Sequence, residues 1–177
     1  AVKLIRGDRL ADDAGSSSQA RERFRREARV TSQLRSQHTV DLYDFGETED
    51  GTFFYAMELL DGLDVETLVE RFGPVRPSRA VHLLRQACLS LEEAHRAGLV
   101  HRDIKPANLF VCRLGLEADH LKVLDFGLAS EDRGPDTTRL TAPNALFGTP
   151  ACMAPEQVKR DGVGPPADLY ALGCVGY

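Results

Sequence analysis

Asp103, Lys105 and Asn108 lie within one short stretch, "HRDIKPANLF", and together they could handle a phosphoryl group. A carboxylate can orient a hydroxyl and accept its proton. A lysine ammonium can neutralise a phosphoryl group in flight, and an amide carbonyl is a hard oxygen ligand of the kind Mg²⁺ takes. A second acid, Asp125, follows in "KVLDFG". It leaves an apolar strand at a glycine turn, where a carboxylate is well placed to bridge metal and phosphate. Near the start, "AVKLI" sets Lys3 between Val2 and Leu4 on an alternating strand.

The elements that must position these groups can be read from periodicity. The polar connector "GDRLADDAGSSSQ" follows the first strand, and "ARERFRREARVTSQLR" then reads as a solvated helix. At 3.6 residues per turn Ala20, Phe24, Ala28, Thr31 and Leu34 share one face, with the arginines Arg21, Arg23, Arg25, Arg26 and Arg29 outside it. Glu27 falls within that inward arc. A buried carboxylate needs a partner, so the helix alone suggests a tertiary role for Glu27, with a surface i,i+4 pair to Arg23 as the alternative. "VDLYDFG" and "TFFYAMELL" predict two strands joined in a hairpin at "EDG". "DGLDVETLVERFG" predicts a short helix after a tight turn. A longer helix is predicted over 78–97, with Val81, Leu84, Cys88, Leu91 and His95 as its inward stripe and Gly98 ending it. Strands early and helices late predict an α+β fold, a small β-rich lobe followed by a helical one.

Bulk properties narrow the function. The 177 residues are 42% apolar and 28% charged, a soluble globular composition. A net charge of -5 gives no general attraction to nucleic acid or anionic membrane, and the arginine-rich helix reads as a solvated face. Cys88, Cys112, Cys152 and Cys174 form no CxxC pair, which fits reduced thiols and a cytoplasmic location. No apolar run is long enough to span a bilayer, so no membrane contact is expected of this segment. The strand at the start and the uncapped apolar stretch "ADLYALGCVGY" at the end read as a segment of a larger domain.

The order of these motifs resembles the protein kinases, and the resemblance covers essentially the whole chain. "AVKLI" is similar to the strand whose lysine grips the α- and β-phosphates of ATP, and Glu27 to that lysine's helix partner, so Lys3 and Glu27 are expected to pair. "HRDIKPAN" resembles the catalytic loop, with Asp103 as base and Lys105 as charge stabiliser. "DFG" resembles the metal turn, with Asn108 and Asp125 holding Mg²⁺, for which Mn²⁺ could substitute. "GTPACMAPE" resembles the end of the activation segment, closing on Ala154, Pro155 and Glu156, and Asp168 in "DLYALG" resembles the acid that anchors the catalytic loop. Aminoglycoside-type phosphotransferases share the catalytic acid and a later Asn but lack the GTP...APE segment. The resemblance implies a bilobal protein-kinase-like fold truncated at both ends: 1–57 in the small lobe, 58–63 as hinge and 64–177 in the larger lobe.

Lys105 and Thr149 both match the serine/threonine class, and the wording of the motifs is most similar to the bacterial eukaryote-like kinases. The resemblance implies ATP as phosphoryl donor and protein Ser/Thr hydroxyls as acceptors, with dimerisation for autophosphorylation as an option. By position Met57 would be the gatekeeper, while the Glu58 carbonyl and Leu60 amide would meet the adenine edge. Ala1 and Phe110 would sandwich the ring, Leu124 would floor the pocket, and Asp64 would reach the ribose. Arg102 would pair with a phosphorylated loop at Thr137, Thr138 or Thr141, Thr141 first. The remaining histidines, His38, His82, His95 and His120, read as surface or packing residues, and His101 as a support for the loop backbone. Cys152 stands where the family often has an aromatic. The alternative function is a pseudokinase scaffold, which usually lacks the Lys, the catalytic Asp or the metal Asp; Lys3, Asp103 and Asp125 are all present.

Overall fold

Alternation in "FFYAM" buries one side of a strand: Phe53 and Tyr55 are buried while Phe54 between them is half-buried. The computed structural model describes residues 1–5, 16–49, 51–126, 152–159 and 162–177. Within it β1 (Val2–Ile5), β2 (Leu42–Glu47) and β3 (Phe53–Met57) form an antiparallel sheet in the order β1-β3-β2. The β2–β3 hairpin turns where expected. Gly51 there is in the left-handed region (φ 81), and the Thr52 N–H donates to Thr48 Oγ1 at 3.1 Å. In the β1–β3 register Lys3 stands opposite Tyr55.

Helix α1 (Ser16–Thr31) lays Phe24 and Ala28 on this sheet, with the Phe24 ring 4.6 Å from that of Phe53. Ala20 belongs to the expected stripe, but its side chain lies outside those described. Phe24, Ala28, Phe53 and Tyr55 form one small core, whereas Val30 and Leu34 at the far end of the helix join a second, larger core.

That second core lies under another antiparallel sheet, β4 (Gly62–Asp64), β5 (Leu109–Leu114) and β6 (Glu117–Val123), ordered β4-β5-β6. Strand β4 departs from the expectation of a tight turn. A Cβ at Gly62 would lie 2.1 Å from the Val111 carbonyl oxygen, so the glycine lets two backbones approach, and tertiary pairing makes the strand. Asp64 then caps α2 (Val65–Phe72), accepting from the Thr67 N–H at 2.8 Å.

Helix α3 (Pro77–Arg96) matches the long helix, but its buried stripe is rotated from the expected one. Leu83, Ala87, Leu91 and Ala94 are buried together with Gln86 and Ser90, while Val81 and Cys88 are exposed. The reason is polar. Gln86 donates to the Asp119 carbonyl (2.9 Å) and accepts from the Leu121 N–H (2.9 Å), and Ser90 shares a 2.6 Å hydroxyl bond with Thr39. Satisfied polar groups can be buried, so apolarity alone misplaces the face. At the end of α3 the Leu99 N–H bonds the Ala94 carbonyl and the Gly98 N–H bonds that of His95, with Gly98 at φ 75, a Schellman ending. Two further helices, α4 (Pro155–Lys159) and α5 (Pro165–Gly176), complete the described elements.

Candidate active site

Asp168, in the first turn of α5, is 1% exposed, and it satisfies its carboxylate on the loop after α3. It accepts from the backbone N–H groups of His101 (2.8 Å) and Arg102 (2.7 Å) and bonds His95 Nε2 (2.7 Å). The loop backbone is thereby fixed, including Arg102 in the left-handed region (φ 66). His95 anchors this acid instead of simply packing.

His101 is fully buried and uses both ring nitrogens. Nδ1 accepts from the Asp103 N–H (3.2 Å), so Nε2 carries the proton and donates to the Leu124 carbonyl (2.7 Å). Burial holds its pKa below the ordinary histidine value, and the ring packs on Phe126. It supports the loop, as expected from sequence.

Asp103, Lys105 and Asn108 come together. Lys105 Nζ lies 2.7 Å from Asp103 Oδ2, and Asn108 Nδ2 donates to the Asp103 carbonyl (2.7 Å) and to the same Oδ2 (3.1 Å). A 3-10 turn over Pro106–Asn108 brings the amide back to the acid. Both of these side-chain contacts fall on Oδ2 of the carboxylate. Gln157 ties α4 to this loop, donating to the Arg102 carbonyl (2.8 Å) and accepting from the Ala154 N–H (3.0 Å).

Asp125 follows β6 with φ 59 and faces the first sheet. Lys3 Nζ lies 2.5 Å from its Oδ2, and the Tyr55 hydroxyl donates to its Oδ1. This corrects the expected Lys3–Glu27 pair: Lys3 takes Asp125, and Glu27 Oε1 lies 4.0 Å from Arg102 Nη1. The sequence order of motifs does not show that Asp125 arrives within reach of Lys3 on β1, or that the loop after α3 brings a competing cation to Glu27. Tyr55 was missed for a related reason. Alternation along β3 points it inward with Phe53, but only the β1–β3 register sets it opposite Lys3. Burial, and next the negative charge of Asp125, push the Tyr55 phenol far above its ordinary pKa, so it remains a donor.

The other expected positions surround these. Met57 ends β3, with its N–H on the Ala1 carbonyl at 2.8 Å, and Glu58 and Leu60 lie in the segment from β3 to β4. The Glu58 carboxylate accepts from the Asp41 N–H (2.9 Å) and from Lys122, a buried lysine of β6 absent from the expected set. Phe110 on β5 pairs with Asp64 on β4, and Leu124 adjoins Asp125, its N–H on the Asn108 carbonyl (2.9 Å). Burial raises the Cys152 thiol above its ordinary pKa, which keeps it in the less reactive protonated form. Thr137, Thr138, Thr141 and Thr149 lie outside the described residues. Among the described residues no helix is long and apolar enough to cross a membrane.

Comparison with known proteins identifies the family. The protein kinase domain family matches residues 1–177. The serine/threonine-protein kinase pkn3 of Myxococcus xanthus is 38% identical over 99% of the chain, and PknH of Mycobacterium tuberculosis 41% identical over 99%. The chain spans 31% and 26% of the length of those relatives. The PknI kinase domain of Mycobacterium tuberculosis superposes with a TM-score of 0.75 at 28% identity, covering 99% of this chain and 60% of that one. Rad53 in complex with AMP-PNP gives 0.72 at 25% identity, covering 99% and 39%. The chain belongs to the protein kinase family, has the α+β protein-kinase fold, and is similar in sequence to bacterial serine/threonine kinases.

Proposed function

We propose that the chain is the phosphoryl-transferring part of an ATP-dependent serine/threonine protein kinase, with residues 1–57 in its small lobe, 58–63 as hinge and 64–177 in its larger lobe. The observation that carries this is Asp103, held by Lys105 and Asn108 on one oxygen and presented on a loop fixed by Asp168. Asp103 orients a substrate hydroxyl and accepts its proton, and Lys105 stabilises charge on the transferring group.

Nucleotide contacts follow. Lys3 exchanges Asp125 for the α- and β-phosphates, while Glu27 lies beside Arg102. Adenine meets the Glu58 carbonyl and the Leu60 N–H, between Ala1 and Phe110, with Met57 behind and Leu124 below. Asp64 meets the ribose while capping α2 through Thr67. The Glu58 side chain, pinned by Lys122 and the Asp41 N–H, sets where its own carbonyl points.

Asn108 and Asp125 fit a hard divalent cation. The Asn108 Nδ2 is committed to Asp103, which turns its oxygen to the ligand role, and Asp125 supplies a carboxylate. Among the described residues no cluster of three His, Cys, Asp or Glu forms a metal cage. Mg²⁺ is usually held by one or two protein carboxylates, with phosphates and water completing its shell. Bound there, Mg²⁺ would neutralise charge on the phosphates.

The test is phosphate transfer from ATP to a generic basic protein by the full-length protein and its Asp103→Asn variant. Loss of the base is expected to slow transfer by about 10²–10⁴-fold. Equal rates would reject the assignment and favour a non-catalytic scaffold.

A further inference from the structure

Asp125 is gripped by two donors from directly opposite positions of one sheet, and the two differ in kind. Lys3 on β1 bonds Oδ2 and Tyr55 on β3 bonds Oδ1, in register across the β1–β3 pair. The Lys3 side chain is 41% exposed on a flexible stem, whereas Tyr55 is 1% exposed in the core made with Phe24, Ala28 and Phe53. When Lys3 leaves for a phosphate, Tyr55 stays. Its phenol is neutral and does not repel a dication as an ammonium would, and a carboxylate oxygen has lone pairs for further partners.

We propose that Tyr55 is a positioning residue for Asp125: it holds Oδ1 and so turns Oδ2, vacated by Lys3, toward the divalent cation. The inference rests on the reading of Asp125 as a metal ligand. Without the hydroxyl, Asp125 keeps its place in the chain but loses the contact that orients its carboxylate. Hydrogen-bond partners of ligating groups commonly set metal affinity by about 10–100-fold.

The experiment uses the full-length protein with Tyr55→Phe, which keeps the ring in its core, and Tyr55→Leu, which also lacks the hydroxyl. Mn²⁺ is titrated by electron paramagnetic resonance in the presence of a saturating non-hydrolysable ATP analogue. Both variants are expected to raise the Mn²⁺ dissociation constant about tenfold or more. Nucleotide affinity measured in chelator should stay within about twofold of the parent, because Tyr55 acts on the metal. A purely structural tyrosine would lower the melting temperature and leave the Mn²⁺ constant where it was, and that result overturns the proposal. Asp125→Asn separates the two layers. If it loses the Mn²⁺ signal while Tyr55→Phe matches the parent, only the role of Tyr55 falls. If it binds Mn²⁺ like the parent, the reading of Asp125 falls, and this proposal with it.

Discussion

His101 illustrates how single residues hold this site without entering the chemistry. Its ring is neutral, with one nitrogen accepting from Asp103 and the other donating to Leu124, so it spans the two motifs that carry Asp103 and Asp125. Because burial lowers its folded pKa, the unfolded chain binds more protons between that lowered value and about 6.5, and stability falls as pH drops through this window. His38, its ring tilted against that of His120 and its pKa lowered chiefly by burial, acts in the same direction. Urea unfolding is expected to show a stability loss of up to about 1.4 kcal/mol per pH unit for each such histidine below about pH 6.5. In His101→Asn the slope should flatten by one residue's share. An unchanged slope would show that His101 is not one of the titrating groups. The role of His101 was legible from its motif. That of Tyr55 was not, since a tyrosine in an aromatic strand looks like core until its register partner is known.

Helix α5 does its work at the element scale through one acid. Asp168 sits in the first turn and faces inward because the helix packs against α3, and its two oxygens take two loop N–H groups and a histidine. Asp168→Asn keeps the shape but replaces one acceptor oxygen with a donor facing a donor. It is expected to destabilise by about 1–3 kcal/mol, the range for an unsatisfied buried polar group. Phosphate transfer should fall more than stability explains, because the Asp103 backbone loses its reference. Chemical denaturation and transfer rates measured on the same preparation check this; wild-type values in both would contradict it. The elements themselves were mostly readable: α1, the β2–β3 hairpin, α2 and α3 lie close to where periodicity predicts them. The face of α3 was not, because Gln86 and Ser90 are buried by partners 30 or more residues away.

Across the whole molecule, the 36–40 stretch after α1 is stitched to the second sheet. The Val40 N–H donates to the Val123 carbonyl and the Val123 N–H to the His38 carbonyl, and Lys122 reaches Glu58 in the segment joining the two sheets. The Lys122 side chain is 6% exposed and that of Glu58 17%, so each charge depends on the other. Lys122→Met is expected to destabilise by about 3–5 kcal/mol, since it strands a largely buried carboxylate. Lys122→Met combined with Glu58→Leu should cost clearly less than the single change. A double-mutant cycle in urea measures the difference, and additive effects would show that the pair is not coupled.

The sequence by itself determined the family and the α+β order of elements, and it singled out Lys3, Glu27, Asp103, Lys105, Asn108 and Asp125 as candidates for the chemistry. Motif spacing and helical or strand period are local properties, so one dimension is enough to read them. Only the tertiary structure decided who touches whom: Lys3 on Asp125, Glu27 near Arg102, Tyr55 on Asp125 and Lys122 on Glu58. Charges choose partners by distance and by what else is buried nearby, and both are set by the packing of two sheets and the helices against them.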